Sequence, residues 1–507
     1  MTDGSAETPG DNIGALARTA AGWQFLSKGI NTALQMVTAI VLARLLMPDD
    51  FGIIAMALMV TGLGTIFQDL GLGQALVQRK SIEDRHIRSA FWGTLVMAGL
   101  LYGIVVLSAP HVGVFFDEPR MVPVIKIIAL VFLFAPFAVV PRAMLQRKLD
   151  FKTQFFAGLA SSLGYGIVGI GMALLGYGYW ALVGAALANA AGSTLVLCIL
   201  MRYLPPIVPS FRGLGDLYGF GTGATGVGLL NYIAQQIDYL VIGRWLDSTA
   251  LGLYEKAFRL VHAPLSIIGG IISPVLFPVF SRLQEQRARA RDIMGRILTV
   301  VSALSFPPLA TLAVAAPELI PLVLGEQWTD AVVPAQILAA AGALRTLVNP
   351  AAMLPKGFGA IYAQMWRNGV YAVVLFVGAI IGSNWGIIGV AWAALFATVV
   401  VWSLNTQLLY AVSRFGLRDY FRAIREPLLI TAVTIPVASL VRQATLAQSF
   451  DPWLVLGATI LSGIVVFIGF ILGPCTRCRS LGKQIIAIRL RGGSLDESVA
   501  GEDEYHV

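Results

Sequence analysis

Polar side chains recur at helical spacing inside a long apolar stretch near the start of the chain. Gln24, Lys28, Asn31 and Gln35 stand at positions i, i+4, i+7 and i+11, so an α-helix would carry all four on one face. A charge at membrane depth costs about 2.5–3.5 kcal/mol on insertion scales, so this stripe must meet water, a ligand or an opposite charge. We expect Lys28 to attract the anionic head group of a substrate.

A second stripe follows about 200 residues later. Asn231, Gln235 and Asp238 again stand at i, i+4 and i+7, and we expect this stripe to face the first across a cavity. Asp238 would bind a coupling proton or sodium ion, or balance the charge of Lys28. A purely structural ion pair is the alternative.

Other charged residues stand within apolar stretches. Glu255 and Arg259 are four residues apart and can pair within a helix, with His262 on the same face. Arg259 and Arg345 are the best phosphate-binding candidates, because a guanidinium stays charged when buried and forks onto two oxygens. Asp69 would pair at a cytoplasmic gate or simply end a helix.

The polar residues fall into two predicted sets. The substrate-binding set contains Lys28, Asn31, Gln35, Asn231, Gln235, Arg259 and Arg345. The set for ion coupling or charge balance contains Asp238, Glu255 and Asp69. The sequence contains no Gly-x-x-x-x-Gly-Lys-Ser/Thr loop, no His-x-x-x-His pair and no Gly-x-Ser-x-Gly elbow. We therefore predict a transporter without ATPase, catalytic or metal site and without a cofactor, which would draw on a proton or sodium gradient.

The elements that position these residues are membrane helices. The 507 residues are 57% hydrophobic and 13% charged, against about 45–50% and 25% in soluble proteins. This composition excludes a soluble enzyme, a secreted disulfide scaffold and a nucleic-acid-binding domain. At about 20 residues per span, the predicted spans are 19–46, 51–77, 89–109, 121–141, 153–175, 178–201, 218–246, 250–280, 297–316, 331–354, 368–386, 387–413, 426–441 and 453–473.

Basic residues outside the spans lie almost entirely on one side. The tails and the connections after even-numbered spans hold 27 Lys and Arg, whereas the other connections hold only Arg120 and Arg442. The positive-inside rule places both termini in the cytoplasm.

The chain also repeats itself. The repeat has an offset of 200 residues: residues 44–46 resemble 244–246, and residues 51–52 resemble 251–252. In the same register, Asn31 corresponds to Asn231 and Gln35 to Gln235. The predicted fold is all-α, with two parallel six-helix repeats and two extra C-terminal helices. Its parts are a cytoplasmic tail (1–18), two six-helix bundles (19–201 and 218–413) around a linker (202–217), the appended helices (414–473) and a cytoplasmic tail (474–507).

Short motifs carry a resemblance to a known family. They are Ala-Arg-Leu-Leu-Met-Pro-Asp-Asp-Phe-Gly at 43–52, Asp-Leu-Gly-Leu at 69–72, Gln-Ala-Leu-Val-Gln at 74–78, Pro-Arg-Ala-Met-Leu-Gln-Arg at 141–147, and Asp-Tyr-Leu at 238–240 followed by Gly-Leu-Tyr at 252–254. With these motifs the chain resembles Wzx-type polysaccharide-transport flippases of the multidrug/oligosaccharidyl-lipid/polysaccharide exporter superfamily.

The resemblance implies a bacterial inner-membrane flippase. Such a protein moves undecaprenyl-diphosphate-linked oligosaccharides to the periplasmic leaflet by alternating access, for exopolysaccharide or lipopolysaccharide synthesis. Its expected partners are that glycolipid, membrane lipid, a polysaccharide polymerase and a chain-length regulator, but no nucleic acid.

Two other functions stay open. A drug/cation antiporter of the same superfamily is disfavoured, because seven basic residues stand within the predicted spans against Asp69, Asp238, Glu255 and, at the first position of span 426–441, Glu426. A membrane polymerase or glycosyltransferase is disfavoured because the outward connections are too short to form an external substrate domain.

Overall fold

The computed structural model describes residues 9–69, 72–79, 81–211 and 221–472, and the regular structure in these ranges is helical. The helices are α1 (Pro9–Leu45), α2 (Pro48–Asp69), α3 (Leu72–Gln78), α4 (Asp84–Phe115), α5 (Met121–Ile128), α6 (Ala135–Arg147), α7 (Phe151–Leu174), α8 (Tyr179–Leu200), α9 (Gly221–Trp245), α10 (Ser248–Arg282), α11 (Arg287–Leu324), α12 (Val332–Gly357), α13 (Ile361–Ser383), α14 (Gly386–Ser413), α15 (Leu417–Ala447) and α16 (Pro452–Leu472). Two 3₁₀ segments, Ala129–Phe134 and Glu326–Ala331, lead into α6 and α12. The predicted all-α membrane fold is confirmed.

Eleven helical stretches in the described ranges are long and apolar enough to cross a membrane. They correspond to predicted spans 2–6 and 9–14. The other three predicted spans fall on α1, α9 and α10, which are 37, 25 and 35 residues long and carry the polar stripes. A total of fourteen spans stays a prediction. The predicted C-terminal tail and residues 212–217 of the linker lie outside the described residues.

The second predicted span, 51–77, falls on α2 and α3. The structure describes α2 to Asp69 and α3 from Leu72, and residues 70 and 71 lie outside the described residues.

The chain forms two compact units. The first unit is Met1–Glu255 with Val323–Trp328, and the second unit is Lys256–Leu322 with Thr329–Val507. This division falls inside α10, whereas the sequence analysis places a boundary in the linker 202–217. The two six-helix bundles stay a prediction.

In the first unit, the beginnings of α2 and α10 approach each other through glycine. A Cβ atom added at Gly52 would overlap the carbonyl oxygen of Ser248, and one added at Gly252 would overlap the carbonyl oxygen of Pro48. Small residues let membrane helices bring their backbones together. Because positions 48 and 248, and 52 and 252, are both 200 apart, the two halves of this contact are related by the sequence repeat.

The ends of α1 and α9 also have related surroundings in the first unit. Arg44 donates from Nε to the carbonyl oxygen of Val323 at 3.0 Å. Its repeat partner Arg244 has its guanidinium carbon 5.7 Å from the centre of the Phe115 ring. Arg44 therefore contacts the end of α11, and Arg244 contacts the end of α4. Each of these helix ends follows the third predicted span of a repeat.

Both basic residues that the sequence analysis places on the outward side are paired with carboxylates. Arg120 lies 2.7 Å from Asp49 and 2.7 Å from Glu118, and these hydrogen bonds raise the pKa of the Arg120 guanidinium. Arg442 in the second unit lies 2.7 Å from Glu318. Each pair offsets positive charge locally, and the placement of both termini in the cytoplasm stays a prediction.

In the second unit, polar contacts hold α15 along α11. Arg291 and Asp419 form a forked ion pair at 2.8 Å near the start of both helices. The Thr299 hydroxyl donates to the Ala423 carbonyl oxygen at 2.8 Å, and the Arg442 pair joins the far ends. The first appended helix is therefore anchored along most of its length.

We predict that Gly52→Ala destabilises the protein by about 1–3 kcal/mol, because its methyl group would overpack the contact with Ser248. Gly99→Ala is the matched control, since a Cβ there meets nothing within 4 Å. Thermal unfolding of the purified full-length proteins in detergent should give a lower Tm for Gly52→Ala than for wild type. The Tm of Gly99→Ala should not fall below that of wild type. Equal Tm values would contradict the close contact.

Candidate functional site

The α1 stripe divides into accessible and structural positions. The side chains of Lys28 and Gln35 are exposed, whereas Asn31 is half-buried. Asn31 donates from Nδ2 to the Ser27 carbonyl oxygen at 2.8 Å, and its Oδ1 accepts from the Ser162 hydroxyl of α7 at 2.8 Å. Lys28 and Gln35 are available to a ligand, while Asn31 joins α1 to α7.

The α9 stripe shows the same division. Asn231 and Gln235 are exposed, whereas Asp238 is only 5% exposed. The Asp238 carboxylate accepts from the Tyr254 hydroxyl at 2.9 Å and from the Tyr239 backbone N–H at 3.0 Å. Both hydrogen bonds stabilise the buried carboxylate. Ion binding by Asp238 stays a prediction.

Tyr254 is a residue that the helical-phase argument missed. It lies sixteen residues after Asp238, on α10, so no spacing within one helix could pair the two. Both residues do belong to the motifs quoted for the family resemblance. Of the other predicted acidic residues, Glu255 is 4% exposed, and the Asp69 side chain lies outside the described residues.

The second unit contains both predicted phosphate-binding arginines. Arg345 on α12 is half-buried, with Nη1 3.2 Å from the Tyr371 hydroxyl of α13 and its guanidinium carbon 5.6 Å from the centre of that ring. This hydrogen bond uses one of the five guanidinium N–H groups, so an oxyanion can bind to others. Arg259 on α10 is exposed, and His262 on the same helix stacks on Phe258 with 4.0 Å between ring centres.

An apolar groove runs between α11 and α16 in the second unit. Its volume is about 240 Å³, and Pro308, Leu312, Ile464 and Phe467 line it. Thr311 is the polar side chain at this groove, and its hydroxyl donates to the Pro307 carbonyl oxygen at 2.9 Å. The groove therefore offers almost entirely apolar surface, which suits a hydrocarbon chain.

Within the described residues, no three His, Cys, Asp or Glu side chains cluster as metal ligands would. Cys475 and Cys478 lie outside these residues. The accessible polar groups are instead amides and cations, which bind sugar hydroxyls and phosphates.

The comparison with known families decides where the chain belongs. A family model described as polysaccharide biosynthesis protein matches residues 41–333, more than half of the chain. The chain belongs to this polysaccharide biosynthesis family. The family resemblance drawn from the motifs is confirmed.

Curated relatives cover most of this family member. It is 29% identical over 479 residues to the teichuronic acid biosynthesis protein TuaB of Bacillus subtilis, covering 92% of this chain and 97% of that one. It is 27% identical over 402 residues to the lipopolysaccharide biosynthesis protein WzxC of Escherichia coli, covering 78% and 80%.

Two solved structures share the fold of this polysaccharide biosynthesis protein. An inward closed lipid II flippase MurJ aligns with a TM-score of 0.69 at 14% identity, over 88% of this chain and 97% of that one. An inward-facing multidrug resistance MATE transporter of the MOP superfamily aligns with a TM-score of 0.59 at 15% identity, over 76% and 96%. At these identities the likeness shows the fold alone.

We predict that Asp238→Ala and Tyr254→Phe are energetically coupled, since each removes one partner of the same buried hydrogen bond. Unfolding in mixed detergent micelles should give single-variant losses of about 1–3 kcal/mol, with the double variant less destabilised than their sum. Tyr102→Phe on α4, whose hydroxyl has no described hydrogen bond, is the control for losing a tyrosine hydroxyl. Strictly additive losses would contradict the assigned contact.

Proposed function

We propose that the protein is an inner-membrane flippase that moves polyprenyl-diphosphate-linked oligosaccharides to the periplasmic leaflet for exopolysaccharide or lipopolysaccharide synthesis. The observation that carries the proposal is the environment of Arg345 within an apolar helix. Tyr371 orients the Arg345 guanidinium, which retains N–H donors for an oxyanion. Membership of a polysaccharide biosynthesis family supports the sugar part of the substrate.

The diphosphate would bind to the arginines. A guanidinium matches phosphate oxygens in charge and in fork geometry, and it stays protonated at membrane depth. Arg345 would make the stronger contact because Tyr371 holds it in place, while the exposed Arg259 would make a more mobile one. In the first unit, the exposed Lys28 of α1 would attract the anionic head group of the substrate.

The other parts of the substrate would use different surfaces. The exposed amides of Gln35, Asn231 and Gln235 can both donate to and accept from sugar hydroxyls. The apolar groove between α11 and α16 would accept a segment of the polyprenyl chain, because it presents no unpaired polar side chain. A diphosphate-linked glycolipid is the substrate class that uses all three kinds of surface.

We propose alternating access driven by a proton or sodium gradient, with Asp238 and Glu255 as the carboxylates that bind the coupling ion or balance charge. Both are buried on helices of the first unit. Both termini would lie in the cytoplasm, so the substrate would enter from that side and leave towards a periplasmic polymerase and its chain-length regulator.

The drug/cation antiporter that the sequence leaves open is the second candidate. Deletion of the gene would then increase sensitivity to cationic dyes. Unchanged sensitivity together with loss of surface polysaccharide would favour the flippase.

We predict that Arg345→Ala reduces polysaccharide export at least about tenfold, or about 1.4 kcal/mol, because the diphosphate loses its forked contact. The measurement is surface polysaccharide and lipid-linked precursor in a deletion strain that expresses each variant. Wild type should restore polymer, Arg345→Ala should accumulate precursor at a normal protein level, and Arg345→Lys should be intermediate.

Arg282→Ala is the matched control, since Arg282 is exposed at the end of α10 and away from the proposed site. Wild-type export by Arg345→Ala would remove the phosphate-site assignment. A deletion strain with normal polymer and no precursor would overturn the flippase function itself.

A further inference from the structure

The first unit contains a polar cavity that lies apart from both stripes. Its volume is about 540 Å³. The residues that line it belong to α2, α4, α6, α7, α8 and the 3₁₀ segment before α6, together with Gly73 of α3. Ligand sites in proteins span about 300–1,000 Å³. Polar side chains are expensive inside apolar helices and mark functional sites there.

The cavity has a single charge of positive sign. Within the part of the chain that the structure describes, Arg142 is the one charged residue in its lining. Arg142 and Gln146 are four residues apart on α6, so they lie on one face of that helix, and both side chains are exposed. No described hydrogen bond or ion pair uses either side chain. An anionic group entering the cavity would meet a guanidinium and an amide side by side.

Gln68 is held in the cavity wall by the backbone of the 3₁₀ segment. The carbonyl oxygen of Phe132 accepts the backbone N–H of Ala135, and because Pro136 has no N–H it receives no donor from the residue four positions later. Gln68 is 8% exposed and supplies the second hydrogen bond, donating from Nε2 to this oxygen at 2.6 Å. Its own Oε1 is left to accept a hydrogen bond from a ligand.

The opposite wall is rigid because α7 and α8 are in backbone contact. The Ser161 hydroxyl donates to the Asn189 carbonyl oxygen at 3.0 Å, and a Cβ at Gly192 would lie 3.0 Å from the Ala160 carbonyl oxygen. Asn189 and Ser193 are one turn apart on α8, and both line the cavity. This wall presents an amide and a hydroxyl at fixed positions.

We propose that this cavity binds a sugar ring that carries one anionic group, as part of the oligosaccharide moved by the proposed flippase, on whose function this inference rests. Hydroxyl and amide side chains both donate and accept, as sugar hydroxyls do. Arg142 forks onto the carboxylate of an acidic sugar or the phosphate of a sugar phosphate. The ring of Phe134, also in the lining, offers an apolar surface to the C–H face of a sugar.

Other ligand classes fit the cavity less well. An acyl chain would cover Arg142, Gln146 and Ser193 without offering them a hydrogen bond, at a cost of about 1–3 kcal/mol for each group. A cation would be repelled by Arg142, which has no carboxylate beside it in the described lining. Arg142 lies in the turns of α6 that lead to the basic segment around Arg147, which the charge bias assigns to the cytoplasm. The sugar would therefore enter from the side on which it is assembled.

Binding is tested first, with full-length protein in lipid nanodiscs and saturation-transfer NMR on three probes: glucuronate, glucose 1-phosphate and glucose. We expect at least one anionic probe to bind at least about fivefold more tightly than glucose, about 1 kcal/mol, and the preferred one identifies carboxylate or phosphate as the source of charge. Arg142→Gln should abolish this preference and Arg142→Lys should weaken it. Arg88→Gln, an exposed arginine on α4 outside the cavity lining, should leave it intact.

A second variant guards against misfolding of Arg142→Gln. Ser193→Ala removes one hydroxyl without changing charge, and it should weaken binding of the anionic probe and of glucose alike. Equal binding of all three probes, or an unchanged preference in Arg142→Gln, overturns the proposal.

Export in the deletion strain separates this inference from the proposed function. If wild type restores polymer and Arg142→Gln does not, at equal protein level, the cavity proposal stands with the flippase. If both restore polymer fully, the flippase function stands and the cavity proposal is overturned. If wild type restores none although the deletion lacks polymer, the proposed function fails whatever the sugar probes show.

Discussion

A polar side chain inside an apolar helix must find a hydrogen-bond partner, because lipid offers none. The described structure meets this constraint repeatedly with a donor from another helix. Asn31 accepts a hydrogen bond from the Ser162 hydroxyl, and Asp238 accepts one from the Tyr254 hydroxyl. Each contact ties two helices together in one register, so the polar residues serve as both joints and candidate binding groups.

The same constraint separates structural from accessible groups. Asn31 and Asp238 use their side chains within the first unit, whereas Lys28, Gln35 and Gln235 on the same two helices remain exposed. Each stripe therefore contains both accessible and structural positions. A ligand would contact the accessible positions, while the structural ones hold the helix that presents them.

Close backbone approach is the second means of holding the helices. Glycine at positions 52 and 252 lets the first turns of α2 and α10 approach each other's backbone carbonyl groups. Gly192 of α8 approaches the backbone of α7 in the same way, beside the polar cavity. Proline acts differently, because Pro136 offers no N–H and the Phe132 carbonyl oxygen accepts from the Ala135 N–H and from the side chain of Gln68. These small local choices decide which polar groups are left for a substrate.

The sequence by itself determined the membrane class, the helical spans and the repeat, because hydropathy, charge bias and self-similarity are properties of residue order. It also determined the family through motifs such as that at residues 43–52. Only the tertiary structure decided that Asp238 bonds Tyr254, that Arg345 is oriented by Tyr371, and that Arg142 enters a cavity with Gln68 and Asn189. Helical phase shows which residues share a face of one helix, but it cannot show which other helix that face meets, since that depends on packing between distant segments.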